Sequence, residues 1–387
     1  MSTRRLWIPD GAKNVNSPIR PLFVNENMGG HATMPMAIRS ALSGYPEVRP
    51  QFLDVPNAGF VRRLGAVSIP GLAREDFDLQ ALRIQLGNSA HVERRLRSWI
   101  NPYDVLHVYS QNSALLSSKA LAGRPSVVAT DSTGEQGARI LPERRVGKGT
   151  KSRIALTKLF EKKVYESATL VIAQSEWTAN SLRTDYGVSD ERIRIVPFGI
   201  NVHEPLPQVS NALPQITFVG TRLSRKGGDR LLDIWRRHLS TETTLTLVTR
   251  DDVKLQPGLR VFQDFRPGDP RLDTLLAATD LFVFPSEIDT FGYALIEAMA
   301  GEVATISLAV AARAEIAIDG VTGLVLPEGA DDGALLAGIR ELLSDPVRSR
   351  EMGLAGRQRV LEHFDARITT KTLVEVLREA QKIFADG

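Results

Sequence analysis

One rhythm runs through these 387 residues: a short apolar run, a few turn residues, then a segment with helical spacing. In the first half the apolar runs are Leu22–Asn25, Val105–Val108, Val127–Ala129, Leu170–Ala173 and Ile193–Val196. In the second they are Ile216–Val219, Leu245–Val248, Leu281–Phe284, Ala304–Ser307 and Leu324–Leu326. Helical patterns such as Leu79–Ile100, Ser113–Ala120, Leu156–Glu166, Arg230–His238 and Val347–His363 separate them. Alternation of this kind predicts α/β architecture with doubly wound parallel sheets, and the strands suffice for two of them. Pro197–Gln215 carries four prolines and no periodicity, so it reads as a linker. The expected layout is a polar lead-in at 1–20, one domain at 21–200, a linker at 201–214 and a second domain at 215–365.

With no cysteine in the chain, disulfides and thiolate metal sites are excluded. No apolar run approaches the ~20 residues that span a bilayer. The opening MSTRRLWIPDGAKNVNSPIRP has no apolar signal-peptide core, so a cytoplasmic protein is expected. The net charge of +3 conceals an asymmetry. Residues 1–205 hold 27 Lys and Arg against 19 Asp and Glu, and the remainder 21 against 26. Arg139–Lys163 alone carries nine basic and two acidic residues. Such a cluster is either a solvated helix face or a peripheral contact with an anionic membrane, here the inner face. Nucleic acid is not an expected partner, because no aromatics for base stacking interleave the basic residues.

Open α/β sheets bind ligands beyond the carboxyl ends of their strands, so the loops after strands carry the functional reading. After the first strand, Gly29 and Gly30 would let backbone approach a phosphate or sugar closely. The G-x-G-x-x-G fingerprint of dinucleotide sites is missing. After Val219, Arg222, Arg225 and Lys226 crowd one loop near a helix N-terminus. A bound anion would relieve their repulsion; the bland alternative is an exposed basic turn. The third loop lies in LFVFPSEIDTFGYALIEAMA, Leu281–Ala300. Asp289 sits in the loop, Phe291, Gly292 and Tyr293 open a helix, and Glu297 follows among apolar residues. A carboxylate there is costly unless satisfied, by a nearby Arg or backbone donor or by the vicinal hydroxyls of a ligand such as a ribose.

Three motifs occur in order: F-V-G-x4-R-K-G-G-D-x-L-L, PSEIDTFGYALIEAMA and EIAIDGVTGLVLP. Together they resemble the retaining nucleotide-sugar glycosyltransferases of family 4, also called glycosyl transferases group 1. In the first half, NENMGGHATMPMAIRSAL, DVLHVYS and VIAQSEWTANSLRTDYGVSDERIRIVPFGIN resemble that family's Gly-Gly loop, D-x-x-H-x-H strand end and linker approach. The likeness runs from about residue 20 to the end and is more specific in the second half. It implies the GT-B fold, two facing Rossmann-like domains with a cleft between them, the first completed by the C-terminal helix at 366–387.

Carried over, the resemblance implies that Arg222 and Lys226 hold the donor diphosphate, assisted by the amides of Phe291–Gly292–Tyr293, with Gly29 and Gly30 also on the donor. Glu297 matches the second acid of the E-x7-E motif and would bind ribose hydroxyls; Asp289 matches the first and would face the donor sugar. Three departures stand out. Asp289 replaces Glu and Thr290 the usual Gly. Thr221 replaces the Arg that follows the strand's Gly, leaving Arg222 one place later and Arg225 free to take that role. Tyr109 replaces the second His, which leaves His107, Asp131 and Asp289 as the expected catalytic groups.

The implied activity is transfer of a sugar from a nucleoside-diphosphate sugar, UDP- or GDP-linked, to a hydroxyl of a glycan, lipid or small-molecule acceptor. Retention of configuration is expected. No metal or other cofactor is expected, since no D-x-D motif is present and Arg and Lys would replace the ion. The alternatives are a nucleotide-sugar epimerase of the same fold and a non-catalytic nucleotide-sugar-binding protein.

Overall fold

The computed structural model describes residues 18–26, 33–55, 65–73, 76–140 and 147–387. Gly29 and Gly30 lie outside the described residues, as do most of the lead-in and residues 141–146 of the basic segment. The chain forms two compact units, Met1–Gly199 with Arg367–Gly387, and Ile200–Ala366.

The first unit is built on a six-stranded sheet of β1 (Pro21–Glu26), β2 (Gln51–Val55), β3 (Val105–Tyr109), β4 (Ser126–Thr130), β5 (Leu170–Ala173) and β6 (Ile193–Ile195). All neighbours pair in parallel, in the order β2-β1-β3-β4-β5-β6. The central strands β1, β3, β4 and β5 are buried along their whole length, as parallel strands covered on both faces must be. Around them lie α1 (Thr33–Leu42), α2 (Gln80–Arg97), α3 (Ser118–Ala122), α4 (Gly134–Ile140), α5 (Thr150–Ser167) and α6 (Glu176–Thr184).

The second unit repeats the plan with β7 (Gln215–Val219), β8 (Thr244–Val248), β9 (Leu259–Phe262), β10 (Leu281–Phe284), β11 (Ala304–Leu308) and β12 (Gly323–Leu326). Their order is β12-β11-β10-β7-β8-β9, again parallel throughout. The helices are α7 (Leu223–Lys226), α8 (Gly228–His238), α9 (Arg271–Ala277), α10 (Tyr293–Ala300), α11 (Arg313–Ile316), α12 (Asp332–Ser344) and α13 (Pro346–His363). Helix α14 (Ala366–Asp386) then returns to the first unit, where Arg194 of β6 is bonded to Glu379.

Three differences from the sequence reading have physical causes. The strands β2 and β9 both lie at sheet edges. Each is interrupted by an exposed charged residue, Asp54 in β2 and Arg260 in β9, so neither shows a continuous apolar run. The basic loop after β7 contains a helical turn, α7, anchored by buried Leu223 and by the Asp251 carboxylate, which accepts from Leu223 N at 2.7 Å. The helix expected at Ser113–Ala120 forms only from Ser118. The serine-rich stretch before it takes turn bonds, Ala114 N to Gln111 O and Ser117 N to Ala114 O, in keeping with serine's preference for local alternatives to helix.

Candidate functional site

In the second sheet the winding reverses between β7 and β10, the point at which doubly wound sheets open a crevice for ligands. The loops after these two strands meet there through a close backbone approach. Gly227 has φ +74°, and a Cβ on it would lie 2.4 Å from the Pro285 carbonyl oxygen, so only glycine lets the end of α7 reach the loop after β10.

That approach brings the Lys226 ammonium onto the Asp289 carboxylate as a half-buried ion pair. Burial raises the Asp289 carboxyl, but the charges of Lys226, Arg313 and Arg225 outweigh it and hold the group below its ordinary range. Arg225 itself is exposed beside the pair. Arg222 points elsewhere: its guanidinium donates to Asp251 at 3.0 Å and most of its side chain is in solvent.

Arg313, on α11, is fully buried. It donates from Nη1 to the Asp289 carbonyl at 2.9 Å, from Nε to the Leu308 carbonyl at 3.0 Å and from Nη2 to the Ser286 carbonyl. One guanidinium thus fastens both ends of the Ser286–Asp289 loop to the end of β11. Burial lowers its pKa to about 10, which leaves it charged at neutral pH. Sequence reasoning does not single out Arg313; the available signal is a lone arginine inside the otherwise apolar run Leu308–Ala314.

Glu297 lies one turn into α10, half-buried, and among the described residues its carboxylate makes no hydrogen bond or ion pair. Burial first, and the charge of Asp273 on α9 second, push its carboxyl up to about 7. An acid left so uncomfortable is ready to accept from a ligand's hydroxyls. The start of α10 is made by Gly292 at φ +102°. Phe291 is buried there, its ring 5.9 Å from that of Tyr293 and 6.3 Å from Phe364.

The other two candidates belong to the first unit. The strand expected to end at Val108 continues to Tyr109, which places His107 in the body of β3 at 1% exposure, its ring 5.1 Å from Phe23. Burial lowers its pKa to about 3, so it is neutral. Asp131 follows the end of β4 and is nearly buried; its backbone oxygen accepts from Thr178 Oγ1 at 2.6 Å. Sequence reasoning also passes over Glu26, the last residue of β1, whose carboxylate accepts from Ser110 Oγ at 2.5 Å beside β3. Among the described residues no group of three or more His, Asp or Glu side chains is placed to hold a metal ion, and no helix is long and apolar enough to cross a membrane.

Two doubly wound units of this kind in one chain match the GT-B fold of known glycosyltransferase structures. The sequence carries the matching family signatures: residues 51–204 match the model for Glycosyltransferase Family 4, and residues 208–359 that for Glycosyl transferases group 1. The chain belongs to this glycosyltransferase family. It is 28% identical over 255 residues to the alpha-maltose-1-phosphate synthase of Mycolicibacterium smegmatis. That match takes in 57% of this chain and 65% of the relative, so it spans slightly less than two thirds of that protein's length. Among solved structures, sucrose-phosphate synthase from Thermosynechococcus elongatus is similar with a TM-score of 0.71 at 19% identity, covering 95% of this chain and all of that one. Anabaena HepE in complex with UDP is similar with a TM-score of 0.67 at 18% identity, covering 93% of this chain and all of that one. At these identities the structures bear on the fold alone.

Proposed function

We propose that this protein transfers a sugar from a UDP- or GDP-linked donor to a hydroxyl of a glycan, lipid or small-molecule acceptor, with retained anomeric configuration and without a metal ion. The observation that carries the reading is the Lys226–Asp289 pair at the reversal between β7 and β10, with Arg225 and Arg313 beside it. This concentration of cations suits a diphosphate leaving group. HepE, whose fold this chain shares, is a protein that binds UDP.

In the free protein Asp289 neutralises Lys226. A donor diphosphate offers Lys226 a stronger anionic partner, and Asp289 then turns to the hydroxyls of the sugar. Arg225 and the amides at the start of α10 share the charge that develops as the diphosphate departs, the electrostatic help that dominates such reactions. Arg222 reaches the phosphates by leaving Asp251. Glu297, ionised, accepts from two ribose hydroxyls. The bond between the anomeric carbon and the phosphate oxygen breaks while the acceptor oxygen bonds to that carbon on the same face, and a donor phosphate oxygen takes the acceptor's proton. The exposed face of α5, with Lys151, Lys162 and Lys163 around Leu156 and Leu159, suits peripheral contact with an anionic inner membrane surface.

The test is a thermal-shift panel in EDTA with UDP, GDP, ADP and dTDP and their sugar conjugates, followed by nucleotide release with and without acceptors. Ligand at ~100 times its dissociation constant adds about 2.7 kcal/mol, an upward shift of several degrees. A shift with one nucleotide, larger with its sugar conjugate, and release that requires an acceptor are expected. Release without an acceptor would favour an epimerase, and a shift without any turnover a binding protein.

A further inference from the structure

The first unit contains a small cavity of about 30 Å³, partly open to solvent, lined by the sheet and by α1 and α14. Its walls are mostly apolar, with Ile38, Phe198 and Leu373 among them. Four lining residues are polar and buried: His107 at 1%, Gln174 at 4%, Thr369 at 7% and Thr370 at 0% exposure. Among the described residues His107 Nδ1, Gln174 Oε1 and Thr370 Oγ1 find no hydrogen-bond partner. Buried polar atoms without partners are few in native proteins, and each one costs its desolvation. Three around one pocket, contributed by β3, the residue after β5, and α14, call for a common partner.

Their chemistry says which. The amide oxygen only accepts, the hydroxyl donates or accepts, and Nδ1 of a neutral imidazole does one or the other according to tautomer. His107 is neutral, since burial depresses its pKa to about 3. A molecule with two donors and two acceptors and no bulk satisfies this set. Buried waters typically make about three such bonds to groups the protein leaves unmatched.

We propose that this pocket is a structural water site, in which ordered water bridges His107 Nδ1, Gln174 Oε1 and Thr370 Oγ1. Its position gives it a consequence. The chain leaves the first unit along Pro197–Gly199 and returns to it at the start of α14, and both segments line the pocket. Through Thr370 the water ties the returning crossing, at the start of α14, to the body of the sheet. The proposal stands apart from the sugar-transfer reading and holds whichever donor is used.

The experiment is a double-mutant cycle on the full chain with Thr370→Val and Gln174→Met, read by thermal melting, together with a high-resolution crystal structure of the parent protein. Each single change keeps the volume close to native and removes one bond to the water. Each is expected to lower Tm by about 2–4 °C, and the double change by less than the sum, because the shared water is lost once. The crystal structure should hold water within about 2.7–3.2 Å of at least two of the three atoms. A rise in Tm for Thr370→Val, strictly additive losses, or protein partners for all three atoms in the crystal would each overturn the proposal.

Discussion

Lys226 and Asp289, 63 positions apart in sequence, form an ion pair across the reversal of winding in the second sheet. Neither loop explains the contact alone. Lys226 ends the turn α7, and Asp289 is held by its own carbonyl, which Arg313 grips from below. The shorter Asp, where the family usually has Glu, keeps the carboxylate close to a backbone that is itself fixed.

This pairing separates two quantities that are usually lost together. Lys226→Met should lower kcat/KM by about 10²-fold, the cost of removing one donor from a developing oxyanion, while the free protein loses about 1 kcal/mol at most, since the pair is partly solvated. Asp289→Asn removes the competitor for Lys226. It should bind the bare nucleoside diphosphate several-fold more tightly yet turn over more slowly. Calorimetric titration beside steady-state kinetics reads both; equal losses of binding and turnover in Asp289→Asn would rule out the exchange of partners.

Arg313 should be the most sensitive side chain in the second unit. Replacing it with Met leaves the Ser286, Asp289 and Leu308 carbonyls without their donor in a buried setting. A loss of about 3 kcal/mol follows from the unpaired groups. Arg313→Lys should recover only part of it, because an ammonium lacks the planar fork that spans three carbonyls. Chemical denaturation of the two variants checks the order; a Met variant as stable as the parent would refute the clamp.

Gly227 tests the backbone approach itself. In Gly227→Ala the new methyl must avoid the Pro285 oxygen and sit at a positive φ, at a cost of about 3 kcal/mol in strain and displacement. The loops after β7 and β10 would then part, so Lys226 and Asp289 should uncouple in a double-mutant cycle made in that background. Gly187→Ala is the control: its φ is also positive, but nothing lies within 4 Å of the added carbon. Its loss should be smaller, and equal losses would show that φ alone matters at Gly227.

How much of this was legible beforehand differs between sheet and site. Leu281–Phe284 and Leu170–Ala173 stand in the structure with the bounds their apolar runs predict, because strands buried on both faces announce themselves. The strands β2 and β9 do not, because an exposed Asp54 or Arg260 breaks each run. In the second unit, Lys226, Asp289 and Glu297 could each be singled out from its own loop or helix. Their relations could not: the Lys226–Asp289 contact depends on Gly227 meeting Pro285, a tertiary packing event with no local signature. Arg313 escaped for the same reason, since its partners are backbone oxygens that no sequence pattern encodes. His107 looked like a strand-end residue because the apolar run stops at Val108, whereas Tyr109, buried against Phe198, carries the strand one residue further.

Glu297 gives the last prediction, on pH. Its carboxyl titrates near 4.5 when free and near 7 in the folded protein, raised by burial and then by Asp273. Between those values the folded state holds a proton that the unfolded state has lost, so stability falls as pH rises through this window and levels off above it. Glu297→Gln removes the titration. The variant should show a flatter dependence of Tm over that range and melt higher than the parent on the alkaline side. Donor binding should move the other way, since ribose hydroxyls donate to the ionised form: the parent's affinity should rise with pH toward a plateau above about 7, and the Gln variant's should be weaker and flat. The two opposed slopes, measured on one pair of proteins, distinguish a ligand-facing carboxylate from a merely buried one. A Gln variant that binds nucleotide as tightly as the parent would remove Glu297 from the donor site.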